Sequence, residues 1–95
     1  MKFFVLVLDM AKKTKKSNFE TAIVDHVRRE RNKRNITQPY LALLLDVTDG
    51  YIGQIESHKS PSKYTLDQLN KIALDFGCSP KDFMPDKGIT EAEQQ

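Results

Sequence analysis

Five hydroxyl residues, each just ahead of a segment with helical character, constrain the fold of this sequence more than any other feature. Side chains of this type accept hydrogen bonds from the free backbone N–H groups of a helix's first turn, so they mark helix starts. The five are Ser17, Thr37, Thr48, Thr65 and Ser79. Glu20 and Gln68 follow the first and fourth of them at the three-residue spacing of a capping box. The pattern predicts a series of short helices.

The apolar residues that follow these starts recur at helical spacing. In the first segment they form one apolar stripe, made of Phe19, Ile23 and Val27. In the fourth segment the stripe is made of Leu66, Leu69, Ile72, Ala73 and Phe76. Asn35 and Gly77 tolerate the left-handed conformation that often ends a helix. We therefore expect a long first helix, two short ones, a fourth ending near Gly77, and a fifth of one to two turns after Ser79.

Composition narrows the class of protein. The chain has 95 residues, of which 39 % are hydrophobic and 29 % charged, as expected of one small globular domain. Its apolar run at residues 3–8 is far shorter than the roughly 20 residues that span a membrane. A lone cysteine suits a reducing cytoplasm.

The same composition offers few groups for chemistry. With one cysteine and two isolated histidines, we expect no metal site and no cofactor. No acid–base pair or phosphate loop is recognisable, so we do not expect an enzyme. We also expect no small-molecule effector, because the sequence leaves no room for a ligand-sensing domain.

Residues 38–57 have the spacing of two short helices that cross at a tight turn. Counting from Gln38, the fifth residue is Ala42, whose small side chain lets the helices approach. The fifteenth and eighteenth, Ile52 and Ile55, face back onto the first helix. With the segments Thr37-Gln38-Pro39-Tyr40-Leu41-Ala42 and Ile52-Gly53-Gln54-Ile55-Glu56, this spacing resembles the phage repressor, Cro and Xre-like helix-turn-helix family.

The resemblance covers about residues 19–84. It implies an all-α, five-helix, lambda-repressor-like domain that binds double-stranded DNA as a transcriptional regulator, with repression as the expected mode. The helix at residues 48–57 would enter the major groove. Family analogy and side-chain chemistry suggest these DNA contacts: Gln38, Thr48, Asp49, Gly50, Tyr51, Gln54, Lys59, Lys63 and Tyr64.

Specific roles follow for some of these residues. Gln54 has the donor and acceptor that match adenine, and Gln38 would hold a phosphate. Lys59, Lys63 and Tyr64 lie in the following loop, where relatives contact the DNA backbone. Arg31 and Glu56 occupy places where the family commonly pairs an arginine of its first helix with a glutamate of its third. We expect that pair to be structural.

Several residues depart from the family's usual pattern. Asp46 stands at the turn position where many relatives have glycine. On the exposed side of the DNA-reading helix, Gly50 and Gly53 have no side chain, and Asp49 would lie near phosphates. The alternative function is therefore a protein-interaction module, antitoxin-like or an adaptor, with weak DNA affinity.

The sequence divides into an arm at residues 1–16 that is apolar and then Lys-rich, a DNA-binding domain at 17–84 and a polar tail at 85–95. The apolar run at residues 3–8 favours a short strand and needs a cover. One hypothesis pairs this run between two copies of the chain, giving a homodimer. The other takes Met10 as the natural start and leaves a flexible basic arm that wraps DNA.

Overall fold

The computed structural model describes residues 15–91, and in that range all regular secondary structure is helical. Four α-helices and a short 3₁₀ helix follow one another: α1 Asn18–Lys33, α2 Gln38–Leu45, α3 Asp49–Glu56, α4 Leu66–Phe76 and the 3₁₀ helix Pro80–Phe83. The predicted all-α class is confirmed. The fifth element is a single 3₁₀ turn, because Pro85 disfavours helical backbone at Met84, which is extended. The strand considered for residues 3–8 lies outside the described residues.

Each helix begins at its predicted cap. The cap side chains accept a hydrogen bond from a backbone N–H two or three residues ahead, at Ser17, Thr37, Thr48, Thr65 and Ser79. Both predicted capping boxes are closed, because Glu20 and Gln68 accept in return from the cap backbone. These contacts are local in sequence, which is why the sequence alone could place them.

Left-handed residues end α2 and α4. Gly77 has φ 70° and Asp46 has φ 58°, and Asn35, just beyond the end of α1, has φ 56°. The turn at Asp46 therefore has the left-handed backbone conformation that favours glycine. The short polar side chain of aspartate tolerates this conformation. The turn from α2 into α3 holds its shape without a glycine.

The core lies where the apolar faces of the four helices meet. Ile52 and Ile55 on α3 have no exposed surface and pack with Leu41 and Ala42 of α2, the latter 1 % exposed. Phe83 of the 3₁₀ helix is also fully buried, and its ring meets that of Phe76 edge to face. Because α3 buries these two isoleucines, its opposite side is left for other contacts.

Both ends of the described chain are attached to this domain. Lys16 is only 2 % exposed, and its Nζ donates to the carbonyl oxygens of Ser57 at 2.7 Å and Ser60 at 2.5 Å. Burial lowers the pKa of Lys16. The Glu91 carboxylate accepts from the backbone N–H of Asn18, with both oxygens at 3.0 Å. Lys16 and Glu91, assigned by sequence to the arm and the tail, are thus part of the packed structure.

Candidate nucleic-acid interface

One side of α3 is open to solvent. Its residues Asp49, Gly50, Gly53 and Gln54 form what we call the outer face of α3. A Cβ built on Gly50 would meet no atom within 4 Å, and one on Gly53 would meet only Gln38 Oε1, at 4.0 Å. Gln54 is exposed and its side chain has no partner among residues 15–91. The outer face of α3 therefore offers bare backbone at two glycines, the exposed carboxylate of Asp49 and one free amide side chain.

Two other predicted DNA contacts, Thr48 and Tyr51, already use part of their side chains to stabilise the fold. The Thr48 side chain accepts from the backbone N–H of Tyr51 at 3.1 Å, which caps the helix. Tyr51 is half-buried and packs against the core. Both lie beside the outer face, but less of each side chain is free for a ligand.

A buried carboxylate joins α1, α2 and α3. Glu56 Oε2 accepts from Arg31 Nε at 2.9 Å, and Glu56 Oε1 accepts from Arg31 Nη2 at 3.0 Å. Gln38 Nε2 donates to the same Oε1 at 2.8 Å, and Arg28 Nε lies 3.7 Å from it. We call Arg28, Arg31, Gln38 and Glu56 the Glu56 cluster. The Arg31 and Glu56 side chains are 9 % and 3 % exposed, so the ion pair is shielded from water.

The Glu56 cluster restricts what Gln38 can do. A carboxylate only accepts hydrogen bonds, so the amide nitrogen of Gln38 must face Glu56. One N–H of that nitrogen and the amide oxygen remain for other partners, and the oxygen faces the space above Gly53. Gln38 is therefore both a structural link and a half-exposed polar group beside the outer face of α3.

The predicted phosphate contacts in the loop after α3 differ in how accessible they are to DNA. Lys59 is exposed. Lys63 Nζ lies 2.6 Å from Glu20 Oε2, so its charge is already matched. Burial would raise the pKa of Glu20, but the hydrogen bonds from Lys63 and Ser17 outweigh burial and lower that pKa.

Tyr64 does not lie where a phosphate could reach it. It is 8 % exposed, its hydroxyl is buried without a partner among residues 15–91, and burial followed by the nearby charge of Glu56 raises its pKa. The sequence contained a signal for this position. Tyr64 directly precedes the cap Thr65, and a hydrophobic residue there commonly packs on the fourth helical residue, here Leu69. Both side chains line one apolar groove beside α1.

Lys16 is the buried polar residue that sequence reasoning missed. The sequence places it in the Lys-rich part of the arm, and no local pattern distinguishes it from the other lysines. Its partners, the carbonyls of Ser57 and Ser60, lie just past the end of α3. These two carbonyl oxygens replace the water that the Lys16 ammonium group loses when it is buried, and a buried charge requires such partners.

The described part of the chain gives no sign of a metal site or a membrane span. Among residues 15–91, no three His, Cys, Asp or Glu side chains come together as metal ligands. His58 Nε2 lies 2.8 Å from Asp25 Oδ1, an exposed pair. No helix in the same range is both long and apolar enough to cross a bilayer.

The sequence that forms these helices matches a known protein family. A helix-turn-helix family model matches residues 27–83, which is more than half of the chain. The chain belongs to the Xre/Cro/repressor-like helix-turn-helix family. Neither the curated proteins nor the solved structures yielded a significant match.

In this helix-turn-helix domain, the matched range takes in α2, α3, α4, the 3₁₀ helix and the second half of α1. The resemblance predicted from residues 38–57 is therefore confirmed. The family is one of DNA-binding domains of the transcription-regulator type. The whole Glu56 cluster falls inside the matched range.

Proposed function

We propose that this domain binds a specific sequence of double-stranded DNA and regulates transcription, with α3 lying in the major groove. The observation that carries the proposal is the division of α3 into two sides. Ile52, Ile55 and Glu56 are buried and hold the helix in place, while Gln54 projects from the outer face without a partner in the described chain. A helix held this firmly presents its free side chain in a defined position.

The outer face of α3 suggests how bases would be read. Gln54 can donate to adenine N7 and accept from adenine N6, and Asp49 can accept from cytosine N4. Gly50 and Gly53 let the helix backbone approach the base edges closely. Thr48 and Tyr51 contribute through their hydroxyl groups at the start of the helix.

Contacts to the DNA backbone would come from the flanks of α3. Gln38 has an amide N–H free for a phosphate, and Lys59 is an exposed cation in the following loop. Lys63 contributes less, because Glu20 already matches its charge. Such contacts position the protein and add affinity at any sequence.

We further propose that the regulator acts in the cytoplasm as a homodimer that represses by blocking a promoter. Helix-turn-helix proteins read palindromic sites through two-fold symmetry. The apolar run at residues 3–8 is one surface that a second copy would cover. The mechanism needs no cofactor, small-molecule effector or catalytic group.

A protein-interaction module, antitoxin-like or an adaptor, is the second candidate function. It is favoured by the outer face of α3, which has two glycines, one acid and no cation. A surface of that kind gains little from phosphates. This function predicts weak DNA binding that salt abolishes and that no sequence enhances.

Selection of duplex sites from a random pool, at about 0.15 M salt, separates the two functions. We expect the wild-type protein to enrich a palindrome. Gln54→Ala should reduce discrimination at one base pair of each half-site by about 1–3 kcal/mol. Asn70→Ala, an exposed amide on α4, is the matched control and should select the wild-type site. Failure to enrich any site would contradict the regulator and favour the interaction module.

A further inference from the structure

The Glu56 cluster contains more positive charge than its carboxylate can match. Arg31 engages both oxygens of Glu56, and Gln38 adds a third hydrogen bond. Arg28 Nε, at 3.7 Å from Oε1, is beyond hydrogen-bond distance. One carboxylate therefore faces two guanidinium groups, and the unmatched positive charge resides on Arg28.

Arg28 is also the accessible member of that pair. Its side chain is 51 % exposed, whereas that of Arg31 is 9 % exposed. Elsewhere on α1, Lys33 and Arg34 both pair with Glu30, at 3.3 Å and 2.6 Å. Arg29 is exposed as well and makes no ion pair among residues 15–91, so what distinguishes Arg28 is its position beside Glu56 and Gln38 rather than its charge alone.

The position of Arg28 is set by the oxygen that it shares with Gln38. Both side chains converge on Glu56 Oε1, so Arg28 lies at the same edge of the domain as Gln38 and the outer face of α3. The guanidinium of arginine presents two parallel N–H groups that match two phosphate oxygens.

We propose that Arg28 binds a backbone phosphate of the DNA, next to the free amide N–H of Gln38. This inference rests on the proposed function, because it assumes that the outer face of α3 meets DNA. It adds α1 to the elements that contact the duplex. Glu56 has a second role here, since it holds Arg28 and Gln38 at one edge while Arg31 keeps Glu56 itself in place.

The test is the salt dependence of binding to a duplex. For one phosphate contact, log K falls with log salt concentration with a slope of about −0.9. Arg28→Gln should therefore make the slope shallower by about 0.9, with no change in the preferred sequence. Between 0.05 and 0.2 M salt, the ratio of wild-type to variant affinity should shrink about 3.5-fold.

Two further variants control this measurement. Arg28→Lys keeps the charge and should keep most of the slope. Arg29→Gln removes the same charge from the adjacent, exposed position of α1, and should change the slope by less than half as much. Thermal unfolding should show all three variants folded at the temperature of the binding assay, with Arg28→Gln slightly below the wild type because it loses the 3.7 Å approach to the Glu56 carboxylate.

The inference is overturned if Arg28→Gln leaves the slope unchanged, or if Arg29→Gln alters it equally. Its failure can be distinguished from failure of the proposed function. A selected palindrome with an unchanged slope refutes only the role of Arg28. Absence of any selected sequence refutes the proposed reading of bases, and the slope on an arbitrary duplex still decides whether Arg28 meets a phosphate. Absence of all binding refutes both.

Discussion

Replacing Gly53 by alanine should make the domain more stable. Gly53 lies in the interior of α3, where glycine is about 1 kcal/mol less favourable than alanine. The added Cβ meets only Gln38 Oε1, at 4.0 Å, which is an ordinary van der Waals contact, so no clash offsets the gain. We expect the free energy of unfolding to rise by about 1 kcal/mol, and Tm to rise by about 4–8 °C in a domain of this size.

Unfolding by heat and by urea, followed by circular dichroism, measures this gain. Gly50→Ala is the matched control, because a Cβ there meets open space but lies in the first turn of α3. A backbone N–H in that turn makes no bond within the helix, so we expect a smaller gain. If Gly53→Ala melted at or below the wild-type temperature, the argument from helix propensity would be refuted.

The same variant should bind DNA less tightly. Its new methyl group stands on the outer face of α3, where the proposed function brings the backbone close to base edges. Affinity for the selected duplex, measured at one salt concentration, should fall although stability rises. A variant that is more stable and binds equally well would disprove close approach at Gly53 without affecting the role of Gln54.

Four further variants, at three positions, test the interior and the turn. Glu56→Gln should lower the free energy of unfolding by about 3 kcal/mol in urea titrations, because it leaves Arg31 charged and buried without its partner. A loss under about 1 kcal/mol, which is the value of an exposed ion pair, would contradict this. Tyr64→Phe should raise stability by about 1 kcal/mol at pH 7, since the lost hydroxyl has no partner in the described chain. Burial raises the pKa of Tyr64, so this side chain ionises in the unfolded chain before it does so in the folded one. The free energy of unfolding of the wild type should therefore fall above pH 10 more steeply than that of Tyr64→Phe. Parallel pH profiles of the two proteins would contradict this. Asp46 has φ 58°, a left-handed conformation that glycine adopts readily and alanine does not. Asp46→Gly should therefore raise the free energy of unfolding by up to about 1 kcal/mol, and Asp46→Ala should lower it. The reverse order of stability would show that the backbone at Asp46 is not strained.

Local chemistry accounts for what the sequence could predict. A cap such as Thr37 bonds to Tyr40, three residues away, so the pattern and the contact lie in the same short segment. The crossing of α2 and α3 depends on Ala42 and on two isoleucines at fixed spacing, which sequence also displays. The helices and their order were therefore predictable.

Contacts between distant residues were not predictable in the same way. Lys16 finds its carbonyl partners 41 and 44 residues away, and nothing in a Lys-rich segment indicates which lysine will be buried. Arg28 and Arg31 look alike in the sequence, one helical turn apart. Only the position of Glu56 shows that Arg31 hydrogen-bonds both oxygens of the carboxylate, whereas Arg28 lies 3.7 Å from one of them and keeps its side chain half exposed.

The contact between Asn18 and Glu91 has a consequence for engineering. These residues are 73 positions apart in sequence, yet the backbone N–H of one touches the carboxylate of the other at 3.0 Å. The two ends of the described polypeptide, residues 15–91, therefore lie close together in the fold. A short linker joining its two ends would make a backbone-cyclised domain, in which the unfolded chain has less conformational freedom and the folded one is undisturbed.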